Sequence, residues 1–468
     1  MIPHQVYTFQ GIFKNPHYRY IFLDGAGGTG KTFTIAAWLQ HIGYSHYQYV
    51  FLGPTGKSIS VAEEKGMYGS TLHRFFMLET NDTTAKINAH IVIKFKTIEQ
   101  YYTELKKKLI DIKIMFIDEI SMVNNEMLDF ILKTMETIAP HIKIALSGDF
   151  HQLPAVINTS KLENVNLNSC LEIISGLIRT REMGKVSFIT RFRSDNEDYN
   201  AWLHDLRGGQ YSNSNEVANA LEKWFNVYED NTLDVEIRKQ LTFLDYVGKN
   251  VDTLNKSLLN ELPGTIHTSK AIIVEDRYPQ GKKPERDDLI RDFQMDDTVQ
   301  FKQASKILFR VNNQGGLFKN GDEGIIQEIK QSTVIITKTN GNTIEVSKHT
   351  YQPSSVEQAK GFDIQIKQWP FSLGNARTYH KSQGDGFTNL HLCLDFLGAN
   401  YLFDEYKWQI LYVGLSRVVD PTKVWIPRSS INMLRNQTKL FKRINWTKLS
   451  LDFESNQMYY QEYQPRQI

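Results

Sequence analysis

Short apolar runs rich in Ile, Val and Phe alternate with longer segments of mixed polarity along most of this chain. One set of runs lies at 20–23, 49–52, 113–117 and 142–146, and a second set lies near 186–189, 241–244, 390–394 and 423–426. Apolar runs separated by helix-length segments are typical of parallel strands that are buried on both faces. The pattern therefore predicts an α/β fold with two doubly wound domains, one for each set.

Two segments break this alternation. Residues 76–111 join a polar stretch to a charged, helix-like stretch, and we expect a small insertion there. Residues 258–372 are β-rich, and Asn340-Gly341-Asn342 lies between alternating apolar residues, which predicts a hairpin. We expect a small β-barrel in this second segment, with residues 279–291 as a mobile loop.

The bulk composition excludes few functions. The chain has 468 residues, a formal net charge of +2 and 23% charged residues, so it is globular, and a local basic groove remains possible. Its two cysteines, Cys170 and Cys393, are far apart in apolar sequence, which favours buried thiols over a disulfide. We expect a soluble protein of a reducing compartment, cytoplasmic or nuclear, because no apolar run reaches membrane-span length and residues 1–5 lack a signal pattern.

A glycine-rich loop follows the first apolar run and precedes a helix-like stretch at 33–41. Its residues are Gly25, Ala26, Gly27, Gly28, Thr29, Gly30, Lys31 and Thr32. Strand, glycine loop and helix form the context in which this pattern cradles phosphates, because backbone N–H groups and the helix N-terminus face the ligand. We expect ATP here, with Lys31 on the β- and γ-phosphates and the Thr32 hydroxyl on Mg²⁺.

Two further motifs follow predicted strands. Asp118 and Glu119 end the run at 113–117; Asp118 is expected to bind Mg²⁺ and Glu119 to orient or deprotonate the attacking water. Gln152 lies in Ser147-Gly148-Asp149-Phe150-His151-Gln152-Leu153-Pro154. Its neutral amide suits a sensor that distinguishes ATP from ADP.

Together these motifs resemble a superfamily 1B helicase, of the branch that includes the PIF-type and RecD-type enzymes and the phage helicase Dda. The resemblance extends from residue 5 to about residue 426. Besides the three motifs above, it is carried by Gly53-Pro54-Thr55-Gly56-Lys57, Ser70-Thr71-Leu72-His73, Arg191-Phe192-Arg193-Ser194, Thr378-Tyr379-His380-Lys381-Ser382-Gln383-Gly384 and Leu411-Tyr412-Val413-Gly414-Leu415-Ser416-Arg417. It implies two RecA-like P-loop domains, with a small insertion in the first and an SH3-like barrel in the second.

The resemblance also implies domain limits. The first RecA-like domain would comprise 1–75 and 112–165, with 76–111 as the insertion that carries the duplex-splitting wedge. The second would comprise 166–257 and 373–430, around the β-rich insertion at 258–372. Residues 431–468 would form a C-terminal tail without an assigned role.

Further nucleotide contacts come from the resemblance alone. Gln5 lies where the family reads the adenine edge, and Gln383 and Gly384 match residues on the phosphate side of the second domain. Arg193 and Arg417 match two arginines that reach the γ-phosphate across the cleft. Arg191 is equally consistent with a surface charge.

Strand contacts are expected where hydroxyls and backbone N–H groups follow strand ends, because these groups suit phosphodiester oxygens of any sequence. In the first domain the candidates are Thr55, Gly56, Lys57, Ser70, Thr71 and His73. In the second they are Asn250, Thr378 and His380, matched through the resemblance. Taken alone, an asparagine such as Asn250 is more often a helix N-cap.

Three positions depart from the family pattern or lack a family equivalent. Asp385 follows Gln383-Gly384 where a hydrophobe is usual, and an acid so near the strand path is expected to repel phosphate. Gly414 replaces the commoner alanine, which should only add slack. Phe95 or a neighbouring aromatic is a candidate for stacking on the duplex junction, although a core position is the commoner role for such a residue.

The resemblance implies an ATP-dependent DNA helicase that translocates 5′ to 3′ on single-stranded DNA and unwinds forked duplexes. A monomer in DNA replication or repair is expected. The alternatives are an RNA helicase, a translocase that displaces proteins, a small-molecule P-loop kinase, and a binding module with an inactive ATPase. His380-Lys381-Ser382-Gln383-Gly384 and Ser416-Arg417 argue against the kinase, and the presence of Lys31, Asp118 and Glu119 argues against the inactive module.

Overall fold

The computed structural model describes residues 4–78, 84–154, 170–211, 213–277, 285–287, 290, 293, 295–313, 315–352 and 363–451. The chain forms two compact units. The first comprises residues 1–233 and 379–468, and the second comprises residues 234–378. Most of the predicted loop at 279–291 and the end of the tail lie outside the described residues.

A parallel sheet forms the centre of the first unit. Its strands are β1 (Tyr20–Gly25), β2 (Tyr49–Gly53), β3 (Gly69–Thr71), β4 (Ile114–Ile117), β5 (Lys143–Gly148) and β6 (Met183–Phe188). They lie in the order β3-β2-β4-β5-β1-β6, so the four apolar runs of the first predicted set are confirmed as parallel strands. The assignment of the run at 186–189 to the second set was wrong, because β6 pairs with β1 in this sheet.

Helices surround this sheet and its connections. They are α1 (His4–Lys14), α2 (Lys31–Ile42), α3 (Gly56–Glu64), α4 (Leu72–Phe75), α5 (Thr84–Phe95), α6 (Ile98–Leu109), α7 (Asn125–Ile138), α8 (Leu171–Arg179), α9 (Glu197–Arg207) and α10 (Ser214–Trp224), followed by strand β7 (Asn226–Tyr228). Phe9 of α1 and Trp38 of α2 pack with Phe116 of β4 in the core. Burying such large rings contributes most of the stability of this layer.

The insertion at 76–111 is helical. Thr97 caps α6 by accepting a hydrogen bond from the Gln100 N–H group, and Tyr101 of α6 is fully buried. The Tyr101 hydroxyl donates to the Phe76 carbonyl, which ties α6 to the start of the insertion. Phe95 is half-buried, with its ring centroid 5.4 Å from that of Tyr101.

The second unit begins with α11 (Val235–Gln240), β8 (Thr242–Asp245) and α12 (Gly248–Glu261). Its β-rich part comprises β9 (His267–Lys270), β10 (Ile272–Arg277), β11 (Thr298–Phe301), β12 (Lys306–Phe309), β13 (Glu323–Ile329), β14 (Thr333–Lys338), β15 (Thr343–Ser347), β16 (His349–Tyr351), β17 (Asp363–Gln368) and β18 (Phe371–Leu373). Strand β19 (Ala376–Thr378) ends the unit and pairs in parallel with β8.

The predicted hairpin is confirmed in this second unit. Strands β14 and β15 pair antiparallel around Gly341, which has a φ of +84° that favours glycine. Strands β15, β14, β13, β12 and β18 form one antiparallel sheet over a core that includes Phe309, Ile336 and Phe371. The closed barrel expected from the resemblance stays a prediction.

The chain then returns to the first unit. There it forms β20 (Leu390–Leu392), α13 (Asp404–Ser416), β21 (Val424–Pro427), α14 (Arg428–Arg435) and α15 (Trp446–Ser450). Strand β21 pairs in parallel with both β20 and β7, so the predicted runs at 390–394 and 423–426 are confirmed as parallel strands. Helix α13 is buried along most of its length, which fixes the position of the residue that follows it, Arg417.

Both cysteines are free thiols. Cys170 is buried, and its Sγ lies 2.7 Å from the Val123 carbonyl, while Cys393 is half-buried. Burial raises the pKa of the Cys170 thiol, which keeps it protonated. Within the described ranges, no helix is both long and apolar enough to cross a membrane.

Candidate active site

The glycine loop between β1 and α2 has the conformation that its sequence predicts. Gly28 and Gly30 have φ values of +85° and +83°, which favour glycine. The Thr29 hydroxyl donates to the Ala26 carbonyl at 2.8 Å and closes the loop. Lys31 Nζ donates to the Gly25 carbonyl at 2.6 Å, so its ammonium group lies inside the cradle.

The two acidic residues after β4 have different surroundings. Asp118 is buried and accepts hydrogen bonds from the Thr32 hydroxyl at 3.2 Å and from the Ser147 hydroxyl. Glu119 is half-buried and has a φ of +50°, an uncommon conformation for a residue other than glycine. Burial, and then the Asp118 charge, raise the pKa of Glu119, as suits a proton acceptor for water.

Two arginines from distant parts of the chain lie against the glycine loop. A Cβ atom added to Gly27 would lie 2.6 Å from Arg417 Nη2 and 3.1 Å from Arg193 Nη1, so only glycine permits this approach without a shift. Burial lowers the pKa of both guanidinium groups, and in Arg193 the Arg417 charge lowers it further. The structure thus gathers Lys31 and both predicted arginines around one loop.

The chain after β6 crosses this loop directly. The Phe192 N–H group donates to the Gly28 carbonyl at 2.8 Å, and Arg193 donates to the Ser416 carbonyl at 2.6 Å. Arg191 is buried and also donates to the Ser416 carbonyl, so its interpretation as a surface charge was wrong. Because Arg191 and Arg193 donate to the same carbonyl, we infer that Arg191 helps to hold the segment after β6 in place.

Gln152 links Arg417 to Asp149, which lies directly after strand β5. Its Oε1 accepts from Arg417 Nη2 at 3.1 Å, and its Nε2 donates to Asp149 Oδ2 at 3.3 Å. Gln152 is buried and both ends of its amide are engaged, so this side chain links Arg417 to the residues after β5. This arrangement suits the predicted sensor.

A buried ion cluster behind the loop was missed by the sequence analysis. Arg207, at the end of α9, lies 2.8 Å from Asp24 and 3.2 Å from Asp149, while Lys185 Nζ lies 3.2 Å from Asp24 and His151 Nδ1 lies 3.3 Å from Asp149. Burial raises the pKa of Asp149, but the Arg207 charge and the His151 hydrogen bond lower it by more. One feature of the sequence could have indicated this cluster: Asp24 is a charged residue at the end of the apolar run Ile21-Phe22-Leu23.

The C-terminal segment packs on this ion cluster. The Trp446 ring lies over Gly209, where an added Cβ atom would be 2.6 Å from the indole, and its centroid is 6.2 Å from that of His151. The Ser450 carbonyl accepts from Lys185 Nζ at 2.6 Å. Part of the tail therefore packs on His151 and Lys185 of this cluster.

The candidate strand contacts of the first unit lie near the carboxyl ends of β2 and β3. Thr55 caps α3 by accepting from the Ser58 N–H group, and Gly56 and Lys57 begin that helix. Ser70 and Thr71 end β3, and Thr71 caps the short helix that contains His73. His380 is half-buried, its Nε2 lies 2.9 Å from the Tyr406 hydroxyl, and burial lowers its pKa to about 4.

Two strand candidates belong to the second unit. Thr378 ends β19. Asn250 lies in the first turn of α12, where its side chain donates to the Asp245 carboxylate at 3.3 Å. Because Val247 holds the N-cap position, the interpretation of Asn250 as an N-cap was wrong.

The remaining predicted positions give mixed outcomes. Gln383 donates to the Leu153 carbonyl at 3.1 Å, and Gly384 has a φ of +86°. Gln5 lies in the first turn of α1, with its side chain outside the described part. The expectation that Gly414 only adds slack was wrong, because an added Cβ atom would lie 2.6 Å from the Tyr379 ring.

The residues around the loop fit a nucleotide with Mg²⁺. Lys31, Arg193 and Arg417 donate to neutral acceptors, so together they present positive charge to a triphosphate. The described residues contain no cluster of three His, Cys, Asp or Glu side chains that could hold a metal. Mg²⁺ with a nucleotide needs none, because one or two protein oxygens suffice when phosphates and water supply the rest.

Several known proteins are similar to this chain in sequence. Residues 10–158 match the family described as AAA domain. The ATP-dependent DNA helicase Pif1 of Campylobacter jejuni is 28% identical over 422 residues, covering 87% of this chain and 89% of that protein. The enzyme of the same name from Bdellovibrio bacteriovorus is 25% identical over 423 residues, covering 88% and 85%.

Solved structures show the same fold. Pif1 helicase from Candida albicans aligns with a TM-score of 0.69 at 17% identity, covering 94% of this chain and 98% of that one. Pif1 helicase from Bacteroides in complex with ADP-AlF3 and ssDNA aligns with a TM-score of 0.64 at 20% identity, covering 93% and 94%. The predicted α/β fold class is thereby confirmed. In sequence the chain is similar to ATP-dependent DNA helicases named Pif1, and in fold it is similar to solved Pif1 helicases.

Proposed function

We propose that this protein is an ATP-driven DNA helicase that couples hydrolysis at the glycine loop to movement along single-stranded DNA. The observation that carries the proposal is the approach of Arg417 and Arg193 to Gly27. Arginines at the γ-phosphate stabilise the charge that develops during phosphoryl transfer. Arg417 follows α13 and Arg193 follows β6. The rate of hydrolysis is therefore sensitive to movements of both segments.

Each residue around the loop has a distinct task in this proposal. Lys31 and the loop N–H groups bind the β- and γ-phosphates, and Glu119 accepts a proton from the attacking water. Thr32 and Asp118 would hold Mg²⁺, which when bound neutralises phosphate charge. Gln152 reports the position of Arg417 to the residues after β5 through its two hydrogen bonds.

The strand contacts complete the proposal. Thr55, Lys57 and Thr71 offer hydroxyl and ammonium groups near the ends of β2 and β3, which suits a sequence-independent grip on phosphodiesters. The Bacteroides relative was crystallised with ssDNA, and another solved relative is described as unwinding forked dsDNA with two coordinating Pif1 helicases. We propose translocation 5′ to 3′, a monomer as the minimal active form, and a role beside replication or repair proteins.

Strand displacement on three DNA substrates tests activity and polarity together. The substrates are a fork, a duplex with a 5′ tail and a duplex with a 3′ tail. We expect unwinding of the first two and not of the third. Unwinding of the 3′-tailed duplex alone would reverse the proposed polarity, and no unwinding of any substrate would favour a translocase that displaces bound proteins.

ATP hydrolysis with added nucleic acid tests the coupling. We expect single-stranded DNA to increase the rate strongly, and RNA to do so less. Lys31→Ala should abolish turnover and leave strand binding nearly intact, because its ammonium lies in the phosphate cradle. No increase with either nucleic acid would remove the motor function, and a larger increase with RNA would favour the RNA helicase.

A further inference from the structure

An open cavity of about 660 Å³ lies beside β3, the strand at one edge of the parallel sheet. The residues before β2, the start of β3, helix α4 and the end of α6 line it, and all of them belong to the first unit. Among the described residues, none of those assigned to the nucleotide site lines this cavity, whereas Ser70, a candidate strand contact, does. The cavity is therefore distinct from the glycine loop and adjoins the strand contacts of β3.

Three aromatic side chains in this cavity form one group. The His46 ring centroid lies 3.8 Å from that of Tyr47 and 6.2 Å from that of Tyr68. Tyr47 and Tyr68 are 66% and 62% exposed, and the Tyr68 N–H group donates to the Tyr49 hydroxyl at 3.0 Å, which fixes the backbone at this position. Grouped rings that remain in water indicate a binding surface, because covering them with a flat apolar partner is favourable.

Basic side chains share the cavity with these rings. Arg74 and Lys108 line it and are exposed, and Lys108 Nζ donates to the Phe75 carbonyl at 2.8 Å. Burial, and then the charges of Lys94 and Arg74, lower the pKa of Lys108. The three cations lie close enough to repel one another, so a bound anion would stabilise all of them.

The remaining charges of the cavity reduce this excess of positive charge without removing it. Lys107 also lines the cavity and pairs with Glu104 at 2.6 Å, and both side chains are exposed. Such a pair contributes little to stability, so Lys107 remains available to an anion. Asp111 is the acidic residue of the lining. Three cations against one lining acid leave the cavity positive.

Rings and cations in one cavity suit single-stranded DNA. Bases of any sequence stack on aromatic rings, while the phosphates between them bind arginine and lysine. Acidic side chains of a peptide would use only the cations and not the faces of Tyr47 and Tyr68. Ser70 lies in β3 directly before Thr71, so a strand on the proposed contact at Thr71 has to extend only past Ser70 to reach the cavity.

We propose that this cavity is an accessory binding site for the DNA strand along which the protein moves, an inference that rests on the proposed function. Bases of that strand stack on Tyr47 and Tyr68, and its phosphates bind Arg74 and Lys108. The same strand continues past Ser70 to the contacts at the carboxyl ends of β2 and β3. The cavity thereby lengthens the segment of DNA that the first unit holds and slows its dissociation.

Binding of oligothymidylates of about 4 to 20 nucleotides to the full chain tests this site, because only the longer strands can occupy it together with the other strand contacts. Tyr68→Leu keeps apolar bulk and removes the flat ring. We expect it to weaken binding of the longest strands by about fivefold, the lower end of the range for one stacked base, and to leave the shortest strands unaffected. Tyr68→Phe keeps the ring and should bind every length as the wild type does.

The salt dependence of binding tests the phosphate contacts. Arg74→Gln with Lys108→Gln removes two cations, and each lost contact should reduce the slope of log K against log salt concentration by about 0.7 for the longest strand. Lys133→Gln is the matched control, because it removes an exposed lysine of an ion pair on α7 and should leave the slope unchanged.

The outcomes are distinguishable when each variant is first shown to melt near the wild-type temperature. Wild-type binding of every length by Tyr68→Leu would overturn the inference, and weaker binding of a polyglutamate peptide by the same variant would then assign the cavity to an acidic partner. An equal loss at every length would also overturn it, because it indicates a purely structural role.

Forked DNA with and without a second single-stranded tail separates the two strands of the substrate. A loss of affinity confined to forks with the second tail would assign the cavity to the displaced strand and overturn the inference. If the wild-type protein binds no single-stranded DNA, the proposed function fails, and this inference fails with it. If the wild type binds DNA and hydrolyses ATP but Tyr68→Leu behaves identically, only this inference fails.

Discussion

Two arginine environments lie near the glycine loop, and they differ in what balances their charge. Arg207 contacts two carboxylates, Asp24 and Asp149, and these raise its pKa although burial lowers it. Arg193 and Arg417 donate to carbonyl, hydroxyl and amide oxygens, and burial lowers their pKa. Among the described residues, neither forms an ion pair.

The comparison distinguishes an arginine whose charge stabilises the fold from arginines whose charge suits an anionic substrate. A buried cation without an anion is costly, so a chain retains one where it has a use. Arg207 is balanced by the protein itself, and its removal should harm folding. The charge of Arg193 and Arg417 suits an anion at Gly27, and its removal should harm catalysis. The following tests act on this contrast, in order of decreasing effect.

Arg417→Ala should have the largest effect on rate. We expect kcat for ATP hydrolysis to fall by about 10³- to 10⁵-fold, as for other arginines at a γ-phosphate. Nucleotide affinity should change modestly, because the interaction strengthens in the transition state. Steady-state kinetics and equilibrium nucleotide binding measure the two effects. Equal losses in both would contradict the assignment.

Arg207→Met should destabilise the fold. It leaves Asp24 and Asp149 without their strongest partner, and breaking a buried pair in this way costs about 3–5 kcal/mol. Urea denaturation measures the free energy of unfolding. Arg443→Met, which breaks an exposed pair with Asp404, is the control and should cost about 0–1 kcal/mol. A stable Arg207→Met protein that cannot hydrolyse ATP would reverse the proposed contrast.

Gly27→Ala should displace Arg417 without disturbing the fold. The new methyl group would lie 2.6 Å from Arg417 Nη2, so the guanidinium must move and lose its bond to Gln152. Displacements of about 1 Å at a reacting group lower rates by about 10²-fold. Gly176→Ala is the matched control, because an added Cβ atom there meets no other atom within 4 Å. Unchanged kcat in Gly27→Ala would show that Arg417 acts from another position.

The pH dependence of stability should report on His151, with the smallest effect of the four. Burial, and then the Arg207 charge, lower the pKa of His151, so the folded protein resists its protonation. Below about pH 6.5 the unfolded chain binds a proton that the folded chain does not, and stability falls as pH falls. His151→Gln cannot titrate and should reduce this slope. An unchanged slope would mean that another group causes it.

Local patterns predicted much of the fold and many of the site positions. Apolar runs predict strands because a strand buried on both faces needs apolar side chains throughout. The glycine loop can be predicted from sequence because its positive φ values favour glycine. The resemblance implies that Arg193 and Arg417 reach the γ-phosphate, and in the structure both lie against Gly27 of the glycine loop. Their roles stay predictions.

What failed depends on contacts between distant residues. The run at 186–189 is a strand as expected, but nothing in its composition says which sheet it joins. Asp24 is a charge at the end of an apolar run, but only the folded chain shows that its partner is Arg207. Gly414 illustrates the same limit, because its need for a small residue arises from the Tyr379 ring packed against it.

The position of Trp446 beside the ion cluster makes its fluorescence sensitive to changes in that cluster. Indole fluorescence responds to charge and polarity within a few ångströms, and this ring lies next to His151 and 4.9 Å from the Trp408 ring. A shift of the segment that joins Asp149 to Gln152 would alter the surroundings of the indole. Trp446 is therefore an intrinsic fluorescent reporter. Replacing Trp446 with phenylalanine would identify how much of the emission change on binding of ATP analogues comes from this residue.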